Sequence, residues 1–242
     1  VVLTEKTSNL NHSMTINSID TLMAPLEVLE KEKKTFLQPD ILLTFGGMVV
    51  SKKIKSFLRN HPPETHWHVD SKKAYDTYYC LKKHCLLQPN SFLKALYSEA
   101  YSPASSYREE VLKHYYKFGA RGRQWLKTQA FSDLKVFEKI AFKLPNTLQL
   151  QLANSSTIRY AQLFDLPKET SVFCNRGTSG IDGSTATAVG AAQISKTPTL
   201  LITGDLSFFY DLNGLWNNYI PNDFRILLIN NSGGGIFRIL PG

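Results

Sequence analysis

The sequence predicts an α/β protein with parallel sheets flanked by helices. Short β-rich runs that are apolar throughout recur along it: DILLTFGG (40–47), SVFC (171–174), TLLIT (199–203) and RILLIN (225–230). A strand that reads this way is covered on both faces. Helical patterns separate these runs, and strands alternating with helices imply parallel pairing through right-handed crossovers. Glycine-rich polar stretches fall directly after strands, which is where open parallel sheets hold ligands.

In chain order, VVLT (1–4) and DILLTFGG (40–47) read as strands, and SKKIKSFLRN (51–60) as a helix. THWHVD (65–70) is a strand that puts His66 and His68 on one face. A long charged helical stretch fills 106–129, and SDLKVFEKIAFKL (132–144) is another helix. TLQLQL (147–152) and SVFC are strands, a helix of small residues spans about 183–195, and TLLIT and RILLIN complete the set. The helical stretch around 104–130 reads as a linker. The expected division places one domain with the linker helix over 1–130 and a second domain over 131–242.

A length of 242 residues allows two modest domains. Hydrophobic residues at 43% and charged residues at 20% are ordinary for a globular chain. No apolar run approaches the roughly 20 residues of a membrane helix, so no membrane partner is expected. The first residues, VVLTEKTSNL, carry neither an initiator Met nor a signal pattern, and GGGIFRILPG closes no element. The expectation is a fragment whose two domains are both incomplete. Three cysteines argue against a disulfide framework and for a reducing compartment, here the cytoplasm. CLKKHC (80–85) lacks the spacing and the second ligand pair of a zinc site. The net charge of +8 is dispersed and accompanies no nucleic-acid motif, so it reads as solvated surface plus cations for small anionic ligands.

Two strand ends carry chemistry. TLLIT runs into Gly204-Asp205-Leu206-Ser207, and RILLIN delivers Asn230-Asn231 followed by Ser232-Gly233-Gly234-Gly235. A carboxylate and a carboxamide at the ends of two neighbouring strands are hard oxygen ligands suited to Mg²⁺. A nearby backbone carbonyl adds a third, and glycines let the backbone approach phosphates. Upstream, CNRGTSGIDGSTATAVGAA (174–192) combines an arginine, close glycines and a small-residue helix, with Asp182 placed to cap that helix.

These motifs resemble the GDG…NN signature of thiamine-diphosphate enzymes, with Leu206 where the third glycine usually stands. GDLS, NNSGGGIF and NRGTSGIDG together resemble the menaquinone-biosynthesis branch of that family. The resemblance implies a thiamine-diphosphate-binding fold and a transferase that needs thiamine diphosphate and Mg²⁺, with Mn²⁺ as an alternative. It implies decarboxylation of 2-oxoglutarate and addition of the resulting succinic-semialdehyde unit to isochorismate, with release of CO₂. Ser179, Gly180, Ile181, Asp205, Leu206, Ser207, Asn231 and Ile236 match cofactor-binding positions. Asp205, Asn231 and the Gly233 carbonyl match the metal ligands. Lys52, Lys53, Ser155, Arg159, Arg176, Ile236 and Phe237 match substrate-binding positions; both substrates are dicarboxylates, which guanidinium forks grip well. The activating glutamate of such enzymes is expected in a separate N-terminal domain, so no catalytic residue is assigned within 1–242 and the chain alone is expected to be inactive. A homodimer or dimer of dimers is implied. Another carboligase of the acetolactate synthase kind, and a non-catalytic binding module, are the competing readings.

Overall fold

A computed structural model describes residues 1–28, 35–99 and 105–234. Among them nine strands form three sheets: β1 (Val2–Leu3), β2 (Thr15–Ile16), β3 (Ile41–Phe45), β4 (Thr65–Val69), β5 (Leu81–Cys85), β6 (Leu148–Leu152), β7 (Thr170–Cys174), β8 (Thr199–Gly204) and β9 (Phe224–Ile229). Every pairing is parallel. The helices are α1 (Ile19–Met23), α2 (Lys52–Asn60), α3 (Pro89–Glu99), α4 (Tyr107–Lys127), α5 (Asp133–Ala141), α6 (Ser156–Ala161), α7 (Ser184–Ile194) and α8 (Asp205–Tyr210). The α/β class with parallel sheets follows from the apolar strands and their helical crossovers.

The contacts divide the chain into two compact units: Val1 with Ile19–Gly122, and Val2–Ser18 with Arg123–Gly242. The first residues pack with the second unit. Asn9 explains why. Its side chain donates to the Val172 carbonyl (3.1 Å) and accepts from the Val172 N–H (2.7 Å), so one amide mimics a neighbouring strand on the edge strand β7. Lys6 N–H also donates to Gln162 Oε1 at 2.8 Å.

The first unit is built on the sheet β3-β4-β5. α2 crosses from β3 to β4 and buries Ile54, Phe57 and Leu58, and Ser51 caps it by accepting from the Ile54 N–H at 3.1 Å. His66 and His68 do share a face, and both bond Thr44 Oγ1 at 2.9 Å. They pack the sheet; among the described residues no group of three or more His, Cys, Asp or Glu side chains could hold a metal. The CLKKHC segment forms the edge strand β5, whose exposed Lys82 and Lys83 suit an edge.

The second unit is built on the sheet β7-β6-β8-β9. Leu150, Leu152, Leu201 and Ile202 are fully buried in its two central strands. α7 packs Ala188, Val189 and Ala192 against Leu201 and Phe224. Its small residues serve that contact and one more: a Cβ at Gly214 would lie 2.9 Å from the Ala186 backbone. Bulk on either side would force them apart.

Candidate functional site

From β6 the chain crosses to β7 on one side, and from β8 to β9 on the other, so the winding reverses between β6 and β8. The crevice outside the carboxyl ends of strands at such a switch point is where open α/β sheets bind ligands. Ser155 and Arg159 follow β6, Arg176, Ser179, Gly180 and Ile181 follow β7, Asp205, Leu206 and Ser207 follow β8, and Asn231 and Gly233 follow β9. The structure therefore gathers these predicted residues at one edge of one sheet.

Hydrogen bonds stitch three loops and the start of α8 together. Asn154, only 2% exposed, donates through Nδ2 to the carbonyls of Asn175 (2.6 Å) and Gly180. Its Oδ1 accepts from Arg176 Nη1 at 3.1 Å. One carboxamide thus joins the loop after β6 to both ends of the loop after β7. Ser207 Oγ donates to the Ile181 carbonyl, which ties in the start of α8. Gly233 N–H donates to Asp205 Oδ2 at 2.7 Å, which ties in the β9 loop.

Three of these groups fit a hard cation. The buried Asp205 carboxylate accepts from the N–H groups of Leu206 and Gly233, both at 2.7 Å, and keeps lone pairs for a further partner. Gly233, at φ +90°, turns the backbone in a way that favours glycine. Asn231 donates through Nδ2 to Asp133 Oδ2 at 2.7 Å, while its Oδ1 is buried without a hydrogen-bond partner. A buried carboxamide oxygen left unpaired carries a desolvation cost of about 1–3 kcal/mol. A cation at this oxygen would offset that cost, and one carboxylate, one amide oxygen and one carbonyl are the donor types that suit Mg²⁺.

Of the residues expected to bind substrate, Arg176 shows the same incompleteness. Arg176 spends Nη1 on Asn154, and its Nε is buried without a partner. That leaves an edge of the guanidinium fork for an anion. Arg159 Nη1 donates to the Ser155 carbonyl at 2.6 Å across one turn of α6. Ser155 has φ +71° and ψ −130°, a conformation that side-chain-bearing residues avoid. Burial pushes the neighbouring Cys174 thiol up to about 11.

Other predicted residues lie outside these four segments of the chain. Lys52 and Lys53 open α2 in the first unit, where Lys53 Nζ pairs with Glu27 Oε2 at 2.7 Å and Lys52 is exposed. Ile236 and Phe237 lie outside the described residues. Asp182 does not cap the small-residue helix: the N-cap is Gly183, at φ +71°, with no side-chain bond. The Asp182 carboxyl instead lies against Gly180, at 2.3 Å from where a Cβ would stand. The capping role falls to Asp211, whose Oδ2 accepts from the Ala186 N–H at 2.7 Å. Sequence reasoning missed Asp211, Asn154 and Asp133. Asn154 had a local signal, a carboxamide directly after an apolar strand; the other two act across 25 and 98 positions.

A family model described as the middle domain of thiamine pyrophosphate matches residues 1–152, well over half the chain. The chain belongs to that family. The thiamine pyrophosphate match ends where β6 ends, and the relatives carry the likeness onward. A 2-succinyl-5-enolpyruvyl-6-hydroxy-3-cyclohexene-1-carboxylate synthase of Flavobacterium johnsoniae is 54% identical over 242 residues, which is all of this chain and 43% of that protein. The synthase of the same name from Christiangramia forsetii is 54% identical over 244 residues, all of this chain and 42% of that protein. That of Porphyromonas gingivalis is 37% identical over 252 residues, all of this chain and 43% of that protein. The chain thus spans less than half the length of these curated relatives. Among the described residues no helix is long and apolar enough to cross a membrane.

Proposed function

We propose that the chain is part of a thiamine-diphosphate- and Mg²⁺-dependent transferase that decarboxylates 2-oxoglutarate and adds the remaining four-carbon unit to isochorismate, in menaquinone biosynthesis. The observation that carries this reading is the unpaired, buried Asn231 Oδ1 on a loop bonded to Asp205 through the Gly233 N–H. Residues 1–130 would act as the middle domain and 131–242 as the diphosphate- and metal-binding domain.

Bound thiamine diphosphate supplies the nucleophilic carbon and the electron sink that decarboxylation needs. The chain's own residues bind and orient. Asp205, Asn231 and the Gly233 carbonyl would hold the cation, and Leu206 and Ser207 in the first turn of α8 would face the diphosphate. Ser179, Gly180 and Ile181 would border the cofactor, with the Ser207 hydroxyl fixing the Ile181 carbonyl. Arg176 and Arg159 with Ser155 would receive substrate carboxylates, Lys52 and Lys53 would add cationic charge, and Ile236 and Phe237 would close the apolar side. No group of residues 1–242 is assigned to cofactor activation, so these residues alone are expected to be inactive. A cytoplasmic homodimer or dimer of dimers is the form in which the full-length protein would work.

The test follows the loss of isochorismate absorbance by full-length gene product with 2-oxoglutarate, with and without thiamine diphosphate and Mg²⁺. Turnover that needs both, and that Asp205→Ala abolishes, is the expected result. A folded protein that binds thiamine diphosphate yet consumes no isochorismate would overturn the substrate assignment.

A further inference from the structure

We propose that Asp133 is the positioning residue of the cation site: it orients Asn231 so that the carboxamide presents oxygen, not nitrogen, to the metal. The proposal rests on reading Asp205, Asn231 and Gly233 as the metal ligands, and it concerns a residue 98 positions away on another element.

A primary carboxamide has two chemically opposite ends, an acceptor oxygen and a donor nitrogen of nearly the same shape. Turned about, Asn231 would aim two N–H dipoles at a cation. Something must fix which end faces in. A carboxylate accepts hydrogen bonds and cannot donate them. The 2.7 Å contact of Asp133 Oδ2 therefore has room only for Asn231 Nδ2, and the oxygen is left as the buried end with no partner. The bond is also charge-assisted, which makes it stronger than a neutral one.

Asp133 is itself held in place. It is the first residue of α5, and Ser132 caps that helix by accepting from the Lys135 N–H. Phe137 of the same helix is buried, and its ring lies 5.8 Å from that of Tyr160 on α6. The acidic residue thus sits on a packed element. Outer groups that orient metal ligands in this way are worth about 10–100-fold in metal affinity.

The experiment measures Mn²⁺ affinity of the full-length gene product in the presence of thiamine diphosphate, by electron paramagnetic resonance of the free ion. Asp133→Asn should weaken Mn²⁺ about 10–100-fold, because an asparagine there accepts either end of Asn231. Asn231→Asp alone should also weaken it, since two carboxylates then face each other. The double variant Asp133→Asn with Asn231→Asp should bind more tightly than either single variant: the new amide donates to the new carboxylate, whose second oxygen faces the metal. A role confined to the start of α5 would show no such rescue, and the double variant remains informative if Asp133→Asn alone folds poorly. Asp133→Asn affinity within about twofold of wild type, well short of the usual outer-group effect, would overturn the proposal. So would a double variant no better than the singles. Wild type that binds Mn²⁺ no better than Asp205→Ala would overturn the ligand reading, and the positioning role with it. Loss in Asp205→Ala with none in Asp133→Asn would overturn the positioning role alone.

Discussion

Asn154 is the most informative single position in the second unit. It is 2% exposed, and its Nδ2 donates to the carbonyls of both Asn175 and Gly180. Asn154→Ala removes both donations and the acceptor that holds Arg176. Two net hydrogen bonds at about 0.5–1.5 kcal/mol each, with added cost for carbonyls left unpaired, come to about 2–4 kcal/mol. Asn154→Asp separates the causes, because it keeps the volume and keeps an acceptor for Arg176 while turning the donor into an oxygen that faces two carbonyls. It should still cost at least about 1 kcal/mol. Urea denaturation of the full-length protein reads both values, provided the denaturant slope is unchanged. A wild-type midpoint for Asn154→Asp would refute the reasoning, since the donations at Nδ2 would then carry no stability.

Gly214→Ala would drive a Cβ to 2.9 Å from the Ala186 backbone, and should cost about 1–3 kcal/mol as an overpacked contact, read as a lower melting temperature. Burial pushes the Cys174 thiol up to about 11 in the folded chain, from the ordinary cysteine value of 9.0. The fold holds that proton more tightly than the unfolded chain does, so the contribution is fully present below pH 9 and is lost as the pH rises through 11. A difference of two pH units corresponds to roughly 2–3 kcal/mol. Cys174→Ala should flatten the stability profile over that alkaline window, and the native thiol should resist alkylation at neutral pH.

The parts of the fold that were legible are those whose signal is local. The four strands of the second sheet are short, rich in apolar residues and bounded by turn residues, and each lies within a residue of its expected limits. β5 was not legible, because an edge strand with exposed Lys82 and Lys83 lacks the continuous apolar run that marks a central one. Short helices such as α6 and α8, of six residues each, carry too few turns for periodicity to show. At the site, residues placed by strand ends could be named from the chain. Those defined by long-range bonds could not: nothing near Asp211 says that it caps a helix starting at Ser184, and nothing near Asp133 points to Asn231. The union of Val2–Ser18 with the second unit is made by long-range bonds of Lys6, Asn9 and Asn11, tertiary contacts with no periodic trace.

Backbone strain recurs in the loops after the strands of the second sheet, while in the first unit Tyr79, after β4, also has positive φ, at +61°. Ser155, Ser179 and Ser232, in the loops after β6, β7 and β9, all have positive φ, at +71°, +63° and +65°. Glycine adopts such angles without penalty, whereas a side chain there costs on the order of 1–3 kcal/mol. In the first unit the turn after β3 gives the same task to Gly46. Strain of this kind persists only where neighbours over-determine the backbone. Here they do: the Ser155 carbonyl is held by Arg159, the loop of Ser179 by Asn154, and the residue after Ser232 by Asp205. The clamps are the groups assigned to substrate and cation, together with the Asn154 carboxamide that joins two of the loops. The unpaired atoms at Arg176 and Asn231 mark where the proposed ligands would add the missing partners.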